Sequence, residues 1–369
     1  MRFLSFMSKG LLPAVLALVL SPAILAQEVT FHKDIEPILQ RSCQNCHRPG
    51  GVAPMSMITY DQVAPFAGLI EYKTGLRDRA GAMPPWYVEK NIGVQHFKSD
   101  PSLSDAEIAA ISTWARSGTP KGDSADAPEP MVFDDSIKWR LGEPDLIVNT
   151  EDYFMAGGRP DWWGEIPSVP TGLTEDRYVK SVEIVEMNDV GTGAEASDTV
   201  GGLFIFHHVI WRTEVLDENG VVISGEAVNW PVHEVGRNGD IFDPDAGRLL
   251  KANSVFYTDS AHLHSNGRDT TGHLQIGFIF HPKGYEPKFR GAISFSGNGV
   301  DISVEGDARD QELHAYTVLT ENTKIVTFEP HLHAPGERMC LEAIWGYSVE
   351  TLSCVGYDHN WVRGYPYED

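Results

Sequence analysis

Residues 43–47 read Cys43-Gln44-Asn45-Cys46-His47, and this run constrains the chain more than any other stretch. Two thiols separated by two residues lie on one turn of backbone, and the histidine places an imidazole beside them. The set suits one haem held by two thioether bonds, with His47 as the proximal ligand of the iron. A thioredoxin-like redox pair needs a strand-to-helix βαβ context, and half a zinc site needs a second ligand pair nearby. Neither pattern flanks the motif.

Attachment of this kind belongs to an exported protein, and the N-terminus fits export. Arg2 and Lys9 precede an apolar run from Leu11 to Leu20, and a small residue, Ala26, follows Ser21 and Pro22. Residues 1–26 therefore read as a secretory signal peptide, and the mature chain is expected to be periplasmic or secreted. The apolar run is short and broken by Pro13 and Pro22, which disfavours a bilayer span. An uncleaved N-terminal anchor is the alternative, and no later segment reads as a membrane span.

A c-type haem needs a ligand on its other face, and a methionine thioether there raises the potential. Met55 and Met57 follow His47 too closely for the chain to wrap round the porphyrin edge, so Met83 is the expected ligand. It sits in Ala82-Met83-Pro84-Pro85-Trp86, where the prolines dictate an extended loop; packing in a core with Trp86 is the alternative. Phe31, Ile35, Ile38 and Leu39 recur at helical spacing before the cysteines. Ser104 and Glu107 form a capping box for a second helix through Ile108, Ile111 and Trp114, which Gly118 and Pro120 end. These signals predict a small all-α haem domain of the cytochrome c type over residues 27–121.

An acidic, proline-containing stretch follows, and residues 122–140 read as a solvated linker. Beyond it the pattern changes to short apolar or alternating runs: Asp145–Val148, Val179–Ile184 and Leu274–Ile279, separated by glycine- and proline-rich turns. That pattern predicts an all-β antiparallel sandwich over residues 141–369. With 42% hydrophobic residues the chain can bury sizeable cores, and its net charge of −23 repels phosphate backbones, which excludes nucleic acid as a partner.

The sandwich region also carries ordered histidines. His262 and His264, like His331 and His333, stand two apart, so each pair shares one face of a strand. His207 and His208 are adjacent and share a metal only at a bulge or a strand end. Imidazole groups without a thiolate suit copper or zinc.

The ordered set of motifs resembles the copper type II, ascorbate-dependent monooxygenases, the family of the peptidylglycine α-hydroxylating and dopamine β-monooxygenases. The resemblance is greater to bacterial proteins that fuse a cytochrome c domain to that copper fold. It rests on Cys43 to Gly51, Met83-Pro84-Pro85-Trp86, Pro170 to Arg177, His207-His208-Val209-Ile210, Pro330-His331-Leu332-His333 and Tyr357 to Trp361. It implies a jelly-roll-like sandwich holding two separated copper ions. His207, His208 and His264 match the electron-transfer copper, and His331 and His333 match the oxygen-binding copper where a C–H bond is hydroxylated. His262 reads as a residue supporting the ligands or as a ligand itself, since strand spacing rates it equal to His264. The family also takes a late methionine at the oxygen-binding copper. No methionine follows Met339 here, so the resemblance implies a truncated chain, an incomplete second site, or Met339 as the substitute; Met339, six residues past His333, itself reads as a core residue.

Cys340 and Cys354 flank a hairpin centred on Tyr347, which sets them opposite each other and predicts a disulfide; copper ligation by the two thiols is the alternative. His233, His273, His281, His314 and His359 are isolated and read as surface or core residues, His281 alone standing where it can approach the first copper from outside. The expectation is an exported redox protein with haem c and copper: a copper-dependent monooxygenase that hydroxylates a small substrate with electrons relayed through the haem from an external donor. The alternatives are a noncatalytic electron-transfer or copper-binding protein and a docking subunit of an exported assembly.

Overall fold

The structure is a computed structural model that describes residues 28–49, 53, 55–133, 138–190, 203–234, 238–291, 303–333, 336–358 and 361–368. The expected signal peptide, Gly50, Gly51 and His359 lie outside the described residues. A π-helical turn, Phe31–Ile35, runs directly into α1 (Glu36–Ser42); α2 (Tyr60–Val63), α3 (Ala67–Gly75) and α4 (Asp105–Arg116) follow. Phe31, Ile35, Ile38 and Leu39 land on one buried face, as their spacing predicts, and pack with Met57, Val63, Ile70, Ile111 and Trp114. Ser104 caps α4: its backbone N–H donates to Glu107 Oε2 at 2.8 Å, and its hydroxyl accepts from the Glu107 N–H at 3.3 Å. Gly118 takes φ +88 just beyond the helix, a backbone state that costs glycine little.

Residues 122–133 stay against the helices although their side chains are mostly exposed. Gln40 donates to the carbonyl of Glu129 at 3.1 Å, and the Arg48 guanidinium lies 4.5 Å from the centre of the Phe133 ring.

After residue 140 the chain turns to strands: β1 (Leu146–Asn149), β2 (Tyr153–Met155), β3 (Trp162–Pro170), β4 (Arg177–Asn188), β5 (Phe206–Val215) and β6 (Val228–Asn229). Next come β7 (His233–Glu234), β8 (Gly239–Ile241), β9 (Arg248–Leu250), β10 (Ser254–Leu263) and β11 (Thr270–Phe280). One antiparallel sheet has the order β1-β11-β4-β8, with β2 on β11 and β9 on β4. The other has the order β3-β10-β5-β6, with β7 on β5.

The two sheets close on one apolar core, which is the sandwich that the alternating runs predict. Leu274, Ile276 and Phe278 enter it at alternate positions of β11, because a strand covered on one face buries every second side chain. From the other sheet Trp211 on β5 and Trp230 beside β6 reach across, with ring centres 6.3 and 5.3 Å from that of Phe278. Each large apolar side chain fully buried here contributes about 1.5–3 kcal/mol.

Four further strands close the chain: β12 (Thr327–Phe328), β13 (Arg338–Trp345), β14 (Ser348–Gly356) and β15 (Tyr365–Pro366). β13 and β14 form the expected hairpin about Gly346 and Tyr347, with Cys340 opposite Cys354 and joined to it by a disulfide. The pairing removes both thiols from the candidate metal ligands.

The segment 81–98 departs from the expected division of the chain. Ala82, Trp86, Tyr87, Val88 and Phe97 share a core with Val355, Tyr365 and Tyr367 rather than with the helices. Glu89 N–H donates to Cys354 O at 2.9 Å and Val94 N–H to Leu352 O at 2.7 Å. Asp358 closes the contact by accepting from Gly81 N–H at 2.7 Å and from the Tyr87 hydroxyl at 2.9 Å. Among the described residues no helix is long and apolar enough to cross a membrane.

Candidate metal centre

The β5–β10 pair brings the first histidines together. His262 faces His208 in register, but the next residue, Leu263, faces Phe206. One step on β10 thus spans two on β5, and His207 is the extra residue of a bulge. That local kink lets two adjacent side chains share one side, and the Nδ1 atoms of His207 and His208 lie 3.4 Å apart. His264 stands one residue past β10, on the same face as His262, and their Nε2 atoms are 3.0 Å apart.

The donor atoms of His207, His208 and His262 lie within 4.8 Å of one another, and so do those of Asp161, His262 and His264. His262, which the sequence leaves between ligand and supporting residue, belongs to both groups and is fully buried. His331 and His333 join the same assembly. The ring of His331 lies 5.1 Å from that of His208 and 5.3 Å from that of His333. The resemblance implies two well-separated copper groups, whereas the structure places the two sets of imidazoles side by side. The reason is local: His331-Leu332-His333 follows β12 as irregular chain and lies across the β7 edge, where His331 Nδ1 is 3.1 Å from Glu234 Oε1.

Three residues without a sequence signal complete the surroundings. Trp163, on β3, stacks its ring on His262 and lies 5.7 Å from His333. Asp161 Oδ2 lies 3.2 Å from the Nε2 atoms of both His262 and His264. Glu234 is completely buried on β7, opposite His208.

At His208 and His331 the electrostatics favour the neutral imidazole. Burial, helped by the neighbouring histidines, pulls His208 down to about 3, and burial also lowers His331. A neutral ring is the form that binds a metal. His233, buried on β7 beside this group, is held down to about 4 by burial alone.

Met339, a core residue by the sequence reading with metal ligation as the alternative, packs on β13 against the core that Tyr87 and Val355 share. His281 sits at the end of β11, where its ring stacks on Tyr285 with centres 3.8 Å apart. His273 pairs with Asp152 at 2.8 Å, and His314 lies 3.7 Å from Glu312.

The second candidate group lies at the end of α1. Cys46 and His47 N–H groups both donate to the Cys43 carbonyl, at 3.1 and 3.0 Å, so one turn carries both thiols and the imidazole. Cys43 touches the helical core, and burial pushes its thiol up to about 12. His47 Nδ1 lies 3.4 Å from Met55 O, and Met57 N–H donates to His47 O at 2.9 Å. Met83 lies in the loop after α3, where its N–H donates to Lys73 O at 3.1 Å. Its side chain is 38% exposed, so it does not join Trp86 in the core.

No family model matches the chain, and neither the curated proteins nor the solved structures include a match.

Proposed function

We propose that the chain is an exported haem- and copper-binding redox protein that works as a copper-dependent monooxygenase on a small substrate, with an external donor feeding electrons through the haem. The observation that carries this reading is the convergence of His207, His208, His262, His264, His331 and His333 from three separate stretches of chain. A group of imidazoles without a thiolate has the donor chemistry of a copper site. The reading takes residues 27–121 as the all-α haem domain, 122–140 as the linker and 141–369 as a jelly-roll-like copper region.

Bound copper supplies one-electron redox chemistry at the histidines, and bound haem c supplies a second one-electron carrier at Cys43, Cys46 and His47. The chain's own groups set the ligands. The Met55 carbonyl lies 3.4 Å from His47 Nδ1, and a hydrogen bond there would orient the ring that is to hold the haem iron. Met57 is tied through its N–H to the His47 carbonyl, and Met83 would supply the thioether that completes the haem ligands. Glu234 orients His331 by accepting from its Nδ1. Trp163, half exposed, covers His262 and part of the group against solvent.

A noncatalytic electron-transfer or copper-binding protein is the second reading, and the position of Met339 favours it, since that side chain packs against the core of Tyr87 and Val355. Haem and metal quantitation on the exported protein, with His262→Ala and Cys46→Ala beside the wild type, tests both. Copper lost in the first variant and covalent haem lost in the second support the redox reading. Zinc in place of copper, or two free thiols and no haem, overturns it. Copper that is reduced and reoxidised with no dioxygen uptake selects the noncatalytic reading.

A further inference from the structure

Away from the histidines, a cavity of about 530 Å³ opens between the start of β4, the β6 and β9 strands and the chain following β11. Val228, Leu249 and Phe289 supply its apolar walls, and Arg248, Lys288 and Arg290 supply cations. The three cations are not equivalent. Lys288 is already paired, 2.9 Å from Asp245, and Arg290 is exposed. Arg248 is 92% buried, at 8% exposure, and forms no ion pair among the described residues.

The guanidinium of Arg248 has one hydrogen bond and two aromatic neighbours among the described residues. One Nη donates to the Asn229 carbonyl, and the group lies 5.7 Å from the Trp230 ring centre and 5.8 Å from that of Phe242. Its Nε reaches no acceptor among the described residues. Burial pulls Arg248 down to about 10, with Asp240 opposing from a distance, so the group stays cationic at neutral pH. A buried guanidinium with open donors is costly unless an anion completes it, and its planar fork matches a carboxylate.

We propose that this cavity binds a small organic carboxylate with an apolar body, the carboxylate on Arg248 and the body against Phe289, Leu249 and Val228. The volume lies in the range of small-molecule sites. A doubly charged phosphate fits less well, since Arg248 is the one buried cation, Lys288 is already paired with Asp245 and Arg290 is exposed, so the second charge meets no buried partner. Asn229 pairs with Arg212, four residues along β5 from His208. At about 3.3 Å per residue the cavity is roughly 13 Å of strand from the histidines. It is therefore a separate site, and the assignment stands whether or not the histidines hold copper.

Isothermal titration of the full chain with benzoate tests the assignment, with benzyl alcohol and inorganic phosphate as the neutral and apolar-free controls. Benzoate binds the wild type, and Arg248→Gln weakens it about tenfold to a hundredfold, the range for a lost charge-assisted hydrogen bond. Phe289→Ala weakens it severalfold; its side chain is 64% exposed, so this variant folds even where Arg248→Gln does not. No benzoate binding, benzyl alcohol or phosphate binding as tightly as benzoate, or unchanged affinity in Phe289→Ala overturns the proposal.

Discussion

Glu186 ties the stability of the sandwich to pH. Its side chain is 8% exposed on β4, and its carboxylate accepts from the N–H groups of Ile205 and Phe206, each at 2.9 Å, and from Asn188 Nδ2 at 2.8 Å. These bonds hold the turn that leads into His207 and His208. Burial outweighs the three donors and raises the carboxyl from its ordinary 4.5 to about 7. A raised folded value means that the folded state binds the proton more tightly than the unfolded state. The full contribution is present below about pH 4.5, declines as the unfolded carboxyl ionises, and is lost once the pH passes about 7. At about 1.36 kcal/mol per pH unit over that interval, the loss amounts to about 3 kcal/mol. Glu186→Gln removes the titration and keeps the shape. Urea unfolding followed by tryptophan fluorescence, run on both proteins, isolates the term because every other titrating group cancels in the difference. Relative to wild type, the variant should gain about 3 kcal/mol between about pH 5 and about pH 8. A difference that stays flat across this range refutes the argument that burial controls Glu186.

Two further perturbations follow from the third core. Cys340→Ser with Cys354→Ser opens a loop of 14 residues, and the chain-entropy argument sets the loss at about 3 kcal/mol, read as a lower urea midpoint that reductant no longer changes. Asp358→Asn turns an amide toward the donors of Gly81 and Tyr87 and should cost about 1–3 kcal/mol, seen as faster hydrogen exchange at the Gly81 amide. Unchanged protection there removes Asp358 as the clasp.

The parts of the fold that were legible are those with a local cause. The runs at 145–148, 179–184 and 274–279 fall in β1, β4 and β11, and these three strands turn out to be neighbours in one sheet. Period-two alternation is a property of a few residues and survives in any sheet that covers one face. The capping box at Ser104 and the hairpin between Cys340 and Cys354 are local in the same sense. The packing of residues 81–98 on the C-terminal strands joins positions more than 250 residues apart, and neither stretch carries a pattern that names the other. Spacing likewise picks out His207 and His208 but not the bulge that unites them, since a bulge is a relation between two strands.

The same distinction explains which site residues were missed, and it leads to a test. His262 and His264 are equal in spacing, and only the β5–β10 register shows that His262 is the buried member facing His208. Glu234 had no signal at all: it is one acid among 52, and what sets it apart is complete burial 3.1 Å from His331 Nδ1. A carboxylate in that position fixes the ring and tautomer of a metal-binding histidine and raises its basicity. Glu234→Ala should therefore weaken copper binding by about tenfold to a hundredfold, measured by competition with a chelator of known affinity. Glu234→Gln keeps an acceptor for the Nδ1 proton and should recover part of the loss. If the alanine variant binds copper as the wild type does, Glu234 is a structural acid and His331 owes its orientation to the chain around it. If both variants lose copper equally, the negative charge matters and the hydrogen bond does not, which moves the argument from the tautomer of His331 to the field across the whole histidine group.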